Sequence, residues 1–297
     1  MQERKSAFLV LAAGTLWGLI SLFVHMLSDC GMQSLPIVCF RNVLAALILG
    51  IWLAIRNPGL LKIRLRDCWM FLGTGVVSIA LFNYCYFVTL QHASVAVSVL
   101  LLYTSPVFVM LFARLLFGEP LTRRKLTALV MTVFGCACVT GVFSEAQHLP
   151  LIYLLTGLGS GLFYGLYSIF GKKALARYST ETVTFYTFAV AAAATLPFSA
   201  SNCVSVVSSH PQTLLVGVGL ALFCTVLPFL CYTSGLKGIP AGRAAVLATA
   251  EPLVGTVTGI AVFGDSFSPS TALGILLVLT AIVLMNTPAR IGRTQHG

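Results

Sequence analysis

Residues 106–119 read PVFVMLFARLLFGE, and residues 252–265 read PLVGTVTGIAVFGD. Each segment begins with a proline, continues through an apolar run and ends in Phe-Gly followed by an acidic residue. The two segments lie 146 residues apart in a chain of 297 residues. Self-similarity at a fixed offset indicates that one structural unit occurs twice. We therefore predict two units, residues 1–145 and residues 146–297.

Further matches extend this repeat beyond the two segments. At an offset of 146, Tyr86 matches Tyr232 and Leu90 matches Leu236. At an offset of 147, Trp17 matches Tyr164 and Gly14 matches Gly161. The repeat therefore covers most of each unit.

The composition indicates whether the surface of the chain faces water or lipid. Residues of the hydrophobic types make up 58% of the sequence, charged residues make up 9%, and the mean hydropathy is +0.96. A soluble globular protein carries about 25% charged residues because its surface faces water, and a disordered chain needs low hydrophobicity. Both classes are excluded, and most of this chain must face lipid.

Apolar runs long enough to cross a bilayer occur ten times. A helix needs about 20 apolar residues to cross the hydrocarbon core. The predicted spans are 6–28, 34–55, 68–90, 94–117, 124–143, 150–171, 180–200, 212–236, 240–263 and 268–287. The sequence therefore predicts an all-α polytopic membrane protein with ten transmembrane helices.

The basic residues predict the orientation of the spans. If the N-terminus is cytoplasmic, every Lys and Arg outside the spans falls on the cytoplasmic side, and Arg114 can reach that side from the end of span 4. The opposite side receives only neutral, acidic and histidine residues, which follows the positive-inside rule. Both termini are therefore predicted to be cytoplasmic. The net charge of +10 is an orientation signal, so the expected partner is the lipid bilayer and not nucleic acid.

Because each unit has five spans, which is an odd number, the second unit is inverted in the membrane relative to the first. The charge map agrees, because Glu119 falls on the cytoplasmic side and its counterpart Asp265 falls on the opposite side. Two inverted repeats of five helices are typical of secondary transporters, in which the two units open a central site alternately to each side. Some channels are also built from inverted repeats.

Several short stretches resemble the EamA domain of the drug/metabolite transporter superfamily, and the resemblance extends over essentially the whole chain as two tandem units. The stretches are 80–83, 103–106 and 116–122 in the first unit, and 241–245, 251–253 and 264–265 in the second. The chain differs from the family pattern at Asp265, where Glu is usual, and at Tyr164, where Trp is common. The resemblance implies a ten-helix bundle around a cavity lined mainly by helices 1, 3, 4, 6, 8 and 9. It also implies export of small metabolites, often amino acids.

Two ionisable residues lie deep in the predicted spans. Glu251 is near the middle of span 9, where a carboxylate costs roughly 2.5–3.5 kcal/mol to insert. It is a candidate for proton coupling or for binding a cationic group of the substrate; alternatively it hydrogen-bonds backbone groups freed by Pro252. Arg41 in span 2 is expected to have a structural role. Its alternatives are binding a substrate carboxylate and pairing with Glu251.

Aromatic and hydroxyl side chains could line a substrate cavity without fixed charge. The candidate lining residues, besides Glu251, are Trp17, Ser21, Asn83, Tyr84, Tyr103, Ser105, Tyr164 and Ser168. Tyr86, Tyr167 and Tyr232 lie nearer to helix ends, where an interfacial aromatic belt is the alternative. Pro106 and Pro252 occupy matching positions and are candidate hinges or static kinks.

The chain contains no phosphate-binding loop, nucleophile elbow or metal-binding motif, so we expect no catalytic residues, no metal and no cofactor. The sequence predicts a secondary transporter that exports small organic metabolites such as amino acids by alternating access. An integral-membrane enzyme and a passive metabolite channel of the same fold are the alternatives. We expect a multi-pass protein of the bacterial-type plasma (inner) membrane, as a monomer or a homodimer, with a small-molecule substrate as its other partner.

Overall fold

The computed structural model describes residues 2–140 and 150–286, and within these ranges all regular structure is helical. The prediction of an all-α protein is therefore confirmed. The end of predicted span 5, the loop residues Glu145 and His148, the last residue of predicted span 10 and the C-terminal tail lie outside the described residues.

Nine helices in the described ranges are long and apolar enough to cross a membrane. They are α1 (Gln2–Asp29), α2 (Ser34–Arg56), α3 (Leu65–Leu90), α4 (Val95–Phe117), α6 (Leu151–Ala174), α7 (Thr180–Ser209), α8 (Gln212–Gly238), α9 (Ala241–Phe263) and α10 (Pro269–Asn286). A further helix, α5 (Arg123–Thr140), lies at predicted span 5 and begins with three basic residues. Two short 3-10 turns, Pro58–Leu61 and Leu65–Asp67, link α2 to α3 and begin α3. Ten spans with cytoplasmic termini stay a prediction.

Two helices break just before a proline. The first part of α4 ends at Leu102 and the second begins at Ser105, while α9 is interrupted at Thr249. Proline has no N–H and cannot donate to the carbonyl four residues earlier, so Pro106 and Pro252 account for both breaks. The structure thus has interruptions at the two predicted hinge positions, and motion there stays a prediction.

Other local features recur at the offset of the sequence repeat. Wide π-helical turns occupy Gly73–Leu81 in α3 and Leu222–Val226 in α8. Gly118 after α4 and Gly264 after α9 both adopt left-handed backbone conformations, with φ of +67° and +73°. A side chain other than glycine is strained in this region, because its Cβ crowds the carbonyl. These pairs are consistent with two related units, whose inverted orientation stays a prediction.

The two halves of the chain pack intimately. α1 lies against α8 and α9, α2 against α7, α3 and α4 against α6, and α5 against α10. Glycines allow the closest approaches: a Cβ on Gly14 would lie 2.8 Å from the Ala248 carbonyl oxygen, and one on Gly274 would lie 2.6 Å from that of Gly135. Such contacts between small residues drive helix association in lipid. They also hold the helices that surround the cavity described next.

Candidate functional site

A narrow cavity lies inside the bundle where α1, α3, α4, α6, α8 and α9 meet. These are the same six helices that the family resemblance implies. The wall consists of aromatic, hydroxyl and small apolar residues: Trp17, Ser78, Ile79, Ser105, Val109, Tyr164, Gly165, Tyr167, Ser168, Phe229, Tyr232, Ala245 and Ala248. This wall can contact an apolar or aromatic group and offers hydroxyls for orientation.

The aromatic rings of the wall form one packed group. The Trp17 ring lies 5.0 Å from that of Phe229 and 5.5 Å from that of Tyr232, and Tyr167 lies 5.1 Å from Phe229. The Tyr232 hydroxyl is 2.7 Å from the Ser168 hydroxyl. Edge-on and tilted pairs of this kind are favourable beyond the area they bury, so the wall is preorganised.

Tyr167 and Tyr232 therefore lie inside the protein and not in an interfacial belt. They are only 5% and 4% exposed, and the Tyr167 hydroxyl lies 2.7 Å from that of Thr233. The belt interpretation is wrong for these two residues. Their helical spacing already pointed inward, because Tyr167 shares a face of α6 with Tyr164 and Ser168.

The predicted lining residues fall into two groups. Trp17, Ser105, Tyr164 and Ser168 lie on the cavity wall. Ser21, Asn83, Tyr84, Tyr103 and Glu251 do not. Sequence analysis also missed wall positions, notably Ser78 and Phe229.

The second group has varied surroundings. The Ser21 hydroxyl is buried without a hydrogen-bond partner in the described chain. Asn83 is buried and donates from Nδ2 to the Ile79 carbonyl oxygen at 2.8 Å. Tyr84 is 60% exposed, because it points away from the side of α3 on which Phe82 contacts Tyr164 at 5.2 Å between ring centroids.

Glu251 lies immediately behind the wall. The Tyr164 hydroxyl donates to Glu251 Oε2 at 3.0 Å, and Tyr103 also interacts with this carboxylate. Tyr164 is thus shared between the cavity and the acidic group. The Glu251 carboxylate therefore accepts its hydrogen bond from the Tyr164 phenol and not from the backbone next to Pro252.

Arg41 is buried and points into the bundle. It is 8% exposed and interacts electrostatically with Glu251, Tyr164 and Cys224, which lie on three other helices. No ion pair joins Arg41 to Glu251, and Arg41 Nε has no hydrogen-bond partner among the residues that the structure describes. The direct pair that was one alternative for Arg41 is not formed.

A cluster of charged groups joins the two halves at one end of the bundle. Glu119 Oε1 lies 2.9 Å from Lys172 Nζ, and Oε2 lies 3.3 Å from Lys125 Nζ. The backbone N–H groups of Ala241 and Gly242 donate to the same carboxylate at 2.7 and 3.4 Å. We call these five residues the Glu119 cluster and this end of the bundle the Glu119 end. The cluster neutralises the carboxylate with two cations and the first turn of α9.

The protonation of Glu119 follows from these contacts. Burial raises the pKa of the carboxyl, but hydrogen bonds from Lys172 and from the Ala241 backbone, together with the two positive charges, outweigh it and bring the pKa below 4.5. Glu119 is therefore ionised at neutral pH. Sequence analysis placed Glu119 only in a cytoplasmic loop, because its partners lie 53 and 122 residues away in the chain.

The opposite end of the bundle, which we call the Asp265 end, is not held by equivalent ion pairs in the described chain. Asp265 is exposed, and in the described chain it forms no ion pair. Val95, the counterpart of Ala241, is 65% exposed, whereas Ala241 is completely buried. The His25 ring lies 4.4 Å from that of Phe263. Among the described residues, Asp265 therefore has no equivalent of the ion pairs that hold Glu119.

A second link lies at the Glu119 end. Asp67 at the start of α3 forms an ion pair with Arg177, and the Tyr178 hydroxyl donates to Asp67 Oδ2 at 2.7 Å. Asp67 is 2% exposed. Because Arg177 and Tyr178 lie between α6 and α7, this link also joins the two halves.

Comparison with known proteins identifies relatives of the chain. The EamA-like transporter family matches it twice, over residues 4–141 and 151–287. The pseudopaline exporter CntI of Pseudomonas aeruginosa (strain UCBPP-PA14) is 30% identical over 189 residues, which is 64% of each chain. The threonine/homoserine exporter RhtA of Escherichia coli (strain K12) is 25% identical over 273 residues, or 89% of each chain. One solved crystal structure has the same fold, with a TM-score of 0.76 and 18% identity, over 95% of this chain and 96% of the other.

Proposed function

Because the chain belongs to the EamA-like transporter family, we propose that it is a secondary transporter that exports small organic metabolites such as amino acids by alternating access. The family and its named relatives are transporters and exporters. The chain is thus a multi-pass membrane transporter and not an enzyme. The proposal concerns its substrate class, its direction and its mechanism.

The different contacts at the two ends of the bundle support the proposed alternating-access mechanism. At the Glu119 end, an acidic residue is held by a lysine of α6 and by the first turn of α9. At the Asp265 end, the equivalent acidic residue and Val95, the first residue of α4, are exposed. If related units can exchange conformations, the same contacts form at one end at a time. The bundle then opens the cavity to alternate sides.

The cavity supports a small substrate with an apolar or aromatic part. Trp17, Tyr164 and Tyr232 provide ring faces, while Ser105 and Ser168 provide hydroxyls. The name of RhtA indicates amino-acid substrates for that protein, and the name of CntI indicates export of pseudopaline. We extend that class to this chain, and we propose Trp17, Ser105, Tyr164 and Ser168 as substrate contacts.

Glu251 is the proposed coupling group. It is the acidic residue next to the cavity, and the Tyr164 hydroxyl that contacts it also lies on the wall. A carboxylate inside a membrane protein is costly, and proton relays in transporters use such groups. Protonation of Glu251 would weaken its charge-assisted hydrogen bond from Tyr164 and so change the cavity wall. Export would then be driven by exchange of protons.

The orientation and the division into units complete the proposal. We place the Glu119 end in the cytoplasm of a bacterial-type plasma membrane, because the basic loops of the sequence fall on that side. The two family matches, 4–141 and 151–287, support one unit in residues 1–145 and an inverted copy in residues 146–297. In the proposed mechanism, the Glu119 cluster then closes the cytoplasmic side, and the state described above faces outward.

Counterflow in proteoliposomes tests the proposal. Purified protein is reconstituted with a high internal concentration of one unlabelled compound, and uptake of the same labelled compound is followed for a panel of amino acids, nucleosides and sugars. We expect a transient overshoot for at least one amino acid, with protein-free liposomes as control. A channel gives flux without saturation and without an overshoot. Flux of that kind would remove alternating access, and an overshoot for only a nucleoside or a sugar would remove the substrate class.

A further inference from the structure

We propose that Arg41 binds the carboxylate of the substrate, and that Arg41 and Glu251 together bind an α-amino acid. This inference rests on the proposed function, because it identifies a charged contact within the same transport site. It also changes the role expected from the sequence, which favoured a structural Arg41.

The surroundings of Arg41 are the first argument. A structural arginine in a membrane protein pairs with a carboxylate or with backbone carbonyls, yet Arg41 forms no ion pair in the described chain and its buried Nε lacks a hydrogen-bond partner. The side chain is nevertheless 8% exposed and therefore almost fully removed from solvent. An unpaired buried charge destabilises a protein. A ligand that arrives with a negative charge would compensate it.

The position of the guanidinium is the second argument. Although α2 contributes no residue to the cavity wall, the groups with which Arg41 interacts lie on α6, α8 and α9. One of them, Tyr164, is on the wall itself. The charge of Arg41 is therefore directed toward the interior of the bundle and not toward lipid.

The third argument is the state of the nearby carboxylate. Glu251 receives its hydrogen bond from Tyr164 and interacts with Tyr103. It forms no direct ion pair with Arg41 in the described chain, so one positive and one negative group face the same interior without touching each other. An α-amino acid carries the complementary pair, a carboxylate for Arg41 and an ammonium group for Glu251. The planar guanidinium binds a carboxylate through two parallel hydrogen bonds, which also fixes the orientation of the substrate.

Ligand-induced stabilisation of the purified full-length protein in detergent tests the inference. The probes are the common L-amino acids, the corresponding L-amino acid amides, which lack the carboxylate, and inorganic phosphate. We expect at least one amino acid to raise the melting temperature of the wild-type protein, whereas its amide and phosphate do not. This comparison uses unmodified protein and does not depend on the folding of a variant.

Variants then identify the residue. We expect Arg41→Gln to weaken the apparent affinity for that amino acid about ten- to hundredfold, the range for a lost hydrogen bond to a charged group, and Arg41→Lys to weaken it less. Arg56→Gln, an exposed position at the end of the same helix, is the matched control and keeps the wild-type affinity. Without ligand, Arg41→Gln should melt at or above the wild-type temperature, because it removes an unpaired charge.

Opposite results overturn the inference. It fails if no amino acid stabilises the wild-type protein, if the amide or phosphate stabilises it as well as the acid does, or if Arg41→Gln keeps the wild-type affinity. A structural Arg41 would instead lower the ligand-free melting temperature and leave the affinity unchanged. Binding that requires Arg41 but is not accompanied by counterflow would retain this site and remove the proposed transport function.

Discussion

The ammonium group of Lys172 lies 2.9 Å from the carboxylate of Glu119, and this contact joins the end of α6 to the loop after α4. The same carboxylate accepts hydrogen bonds from the first turn of α9. Three helices from both halves of the chain therefore meet on one side chain. Because Glu119 is 9% exposed, its charge is compensated by these partners and little by water. In the proposed alternating mechanism, the Glu119 cluster must break for the Glu119 end to open.

The opposite end should form an equivalent contact when the protein changes state. His25 corresponds to Lys172 at the offset of 147, Asp265 corresponds to Glu119 at the offset of 146, and His25 stacks on Phe263 as Lys172 lies over Phe117. We expect the cysteine pair His25→Cys and Asp265→Cys, in a background without native cysteines, to cross-link more when Lys172→Met is added.

The control pair for this experiment is Asp29→Cys with Asp265→Cys, because Asp29 is one turn further along α1 and is also exposed. Cross-linking of the control pair should change little. If Lys172→Met leaves cross-linking between positions 25 and 265 at its original level, the two ends are not coupled.

The Glu119 cluster should be insensitive to pH across the neutral range. The pKa of Glu119 is below 4.5 because its hydrogen bonds and neighbouring cations outweigh burial. A lowered pKa stabilises the folded state above the unfolded value of 4.5, and this contribution is lost as the pH falls through the folded value. The difference in melting temperature between wild type and Glu119→Gln should thus be constant from about pH 8 to about pH 5 and shrink in more acidic buffer. A difference that already shrinks between about pH 7 and about pH 6 would refute this assignment.

Glu251 should control the pH dependence of transport. Glutamine has nearly the same shape as glutamate but cannot gain or lose a proton, so Glu251→Gln should slow counterflow by about tenfold or more and abolish its variation with pH. Tyr164→Phe removes the hydroxyl that donates to Glu251 Oε2 but keeps the carboxylate, so pH dependence should persist in that variant. Counterflow by Glu251→Gln at the wild-type rate, with the wild-type pH profile, would eliminate proton coupling through this residue.

Gly274 should be essential for the contact between α5 and α10. A Cβ at this position would lie 2.6 Å from both the Gly135 carbonyl oxygen and the Val139 backbone nitrogen, which cannot move without shifting a helix. Gly274→Ala should therefore cost about 1–3 kcal/mol of stability, the usual range for overpacking. Gly159→Ala is the control, because its nearest neighbours would lie 3.7 and 3.8 Å away and alanine favours the helix. Thermal unfolding in detergent measures both, and an equal melting temperature for the two variants would contradict the packing argument.

The sequence predicted the helical class and part of the cavity wall because both depend on local patterns. Apolar runs of span length predict helices in lipid whatever their partners are. Trp17 and Tyr164 occupy equivalent positions in the repeat, and both lie on the cavity wall. For these residues, periodicity and internal repetition were sufficient.

Other features depend on contacts that no local pattern contains. Lys172 and Ala241, two of the partners of Glu119, are distant in the chain, so the complete cluster appears only when the helices are packed together. In α3, the π-helical turn Gly73–Leu81 changes the register of the residues that follow it. Tyr84 was predicted from its residue type and its depth in the span, which do not determine the face of the helix; it is exposed, while Phe82 faces Tyr164.

Two-sided labelling of one cavity residue tests the alternating mechanism most directly. Ser105 lies on the cavity wall and is 4% exposed, so a Ser105→Cys reporter, in a background without native cysteines, measures access from each side with a membrane-impermeant maleimide. Lys172→Met removes one partner of Glu119, and Lys173→Met removes the exposed neighbouring charge as a control. We expect Lys172→Met to raise labelling from the Glu119 end on the order of tenfold, a change of about 1.4 kcal/mol, and to lower labelling from the Asp265 end, while Lys173→Met changes neither. Labelling that is the same in both variants, or that rises from both sides together, would contradict the account.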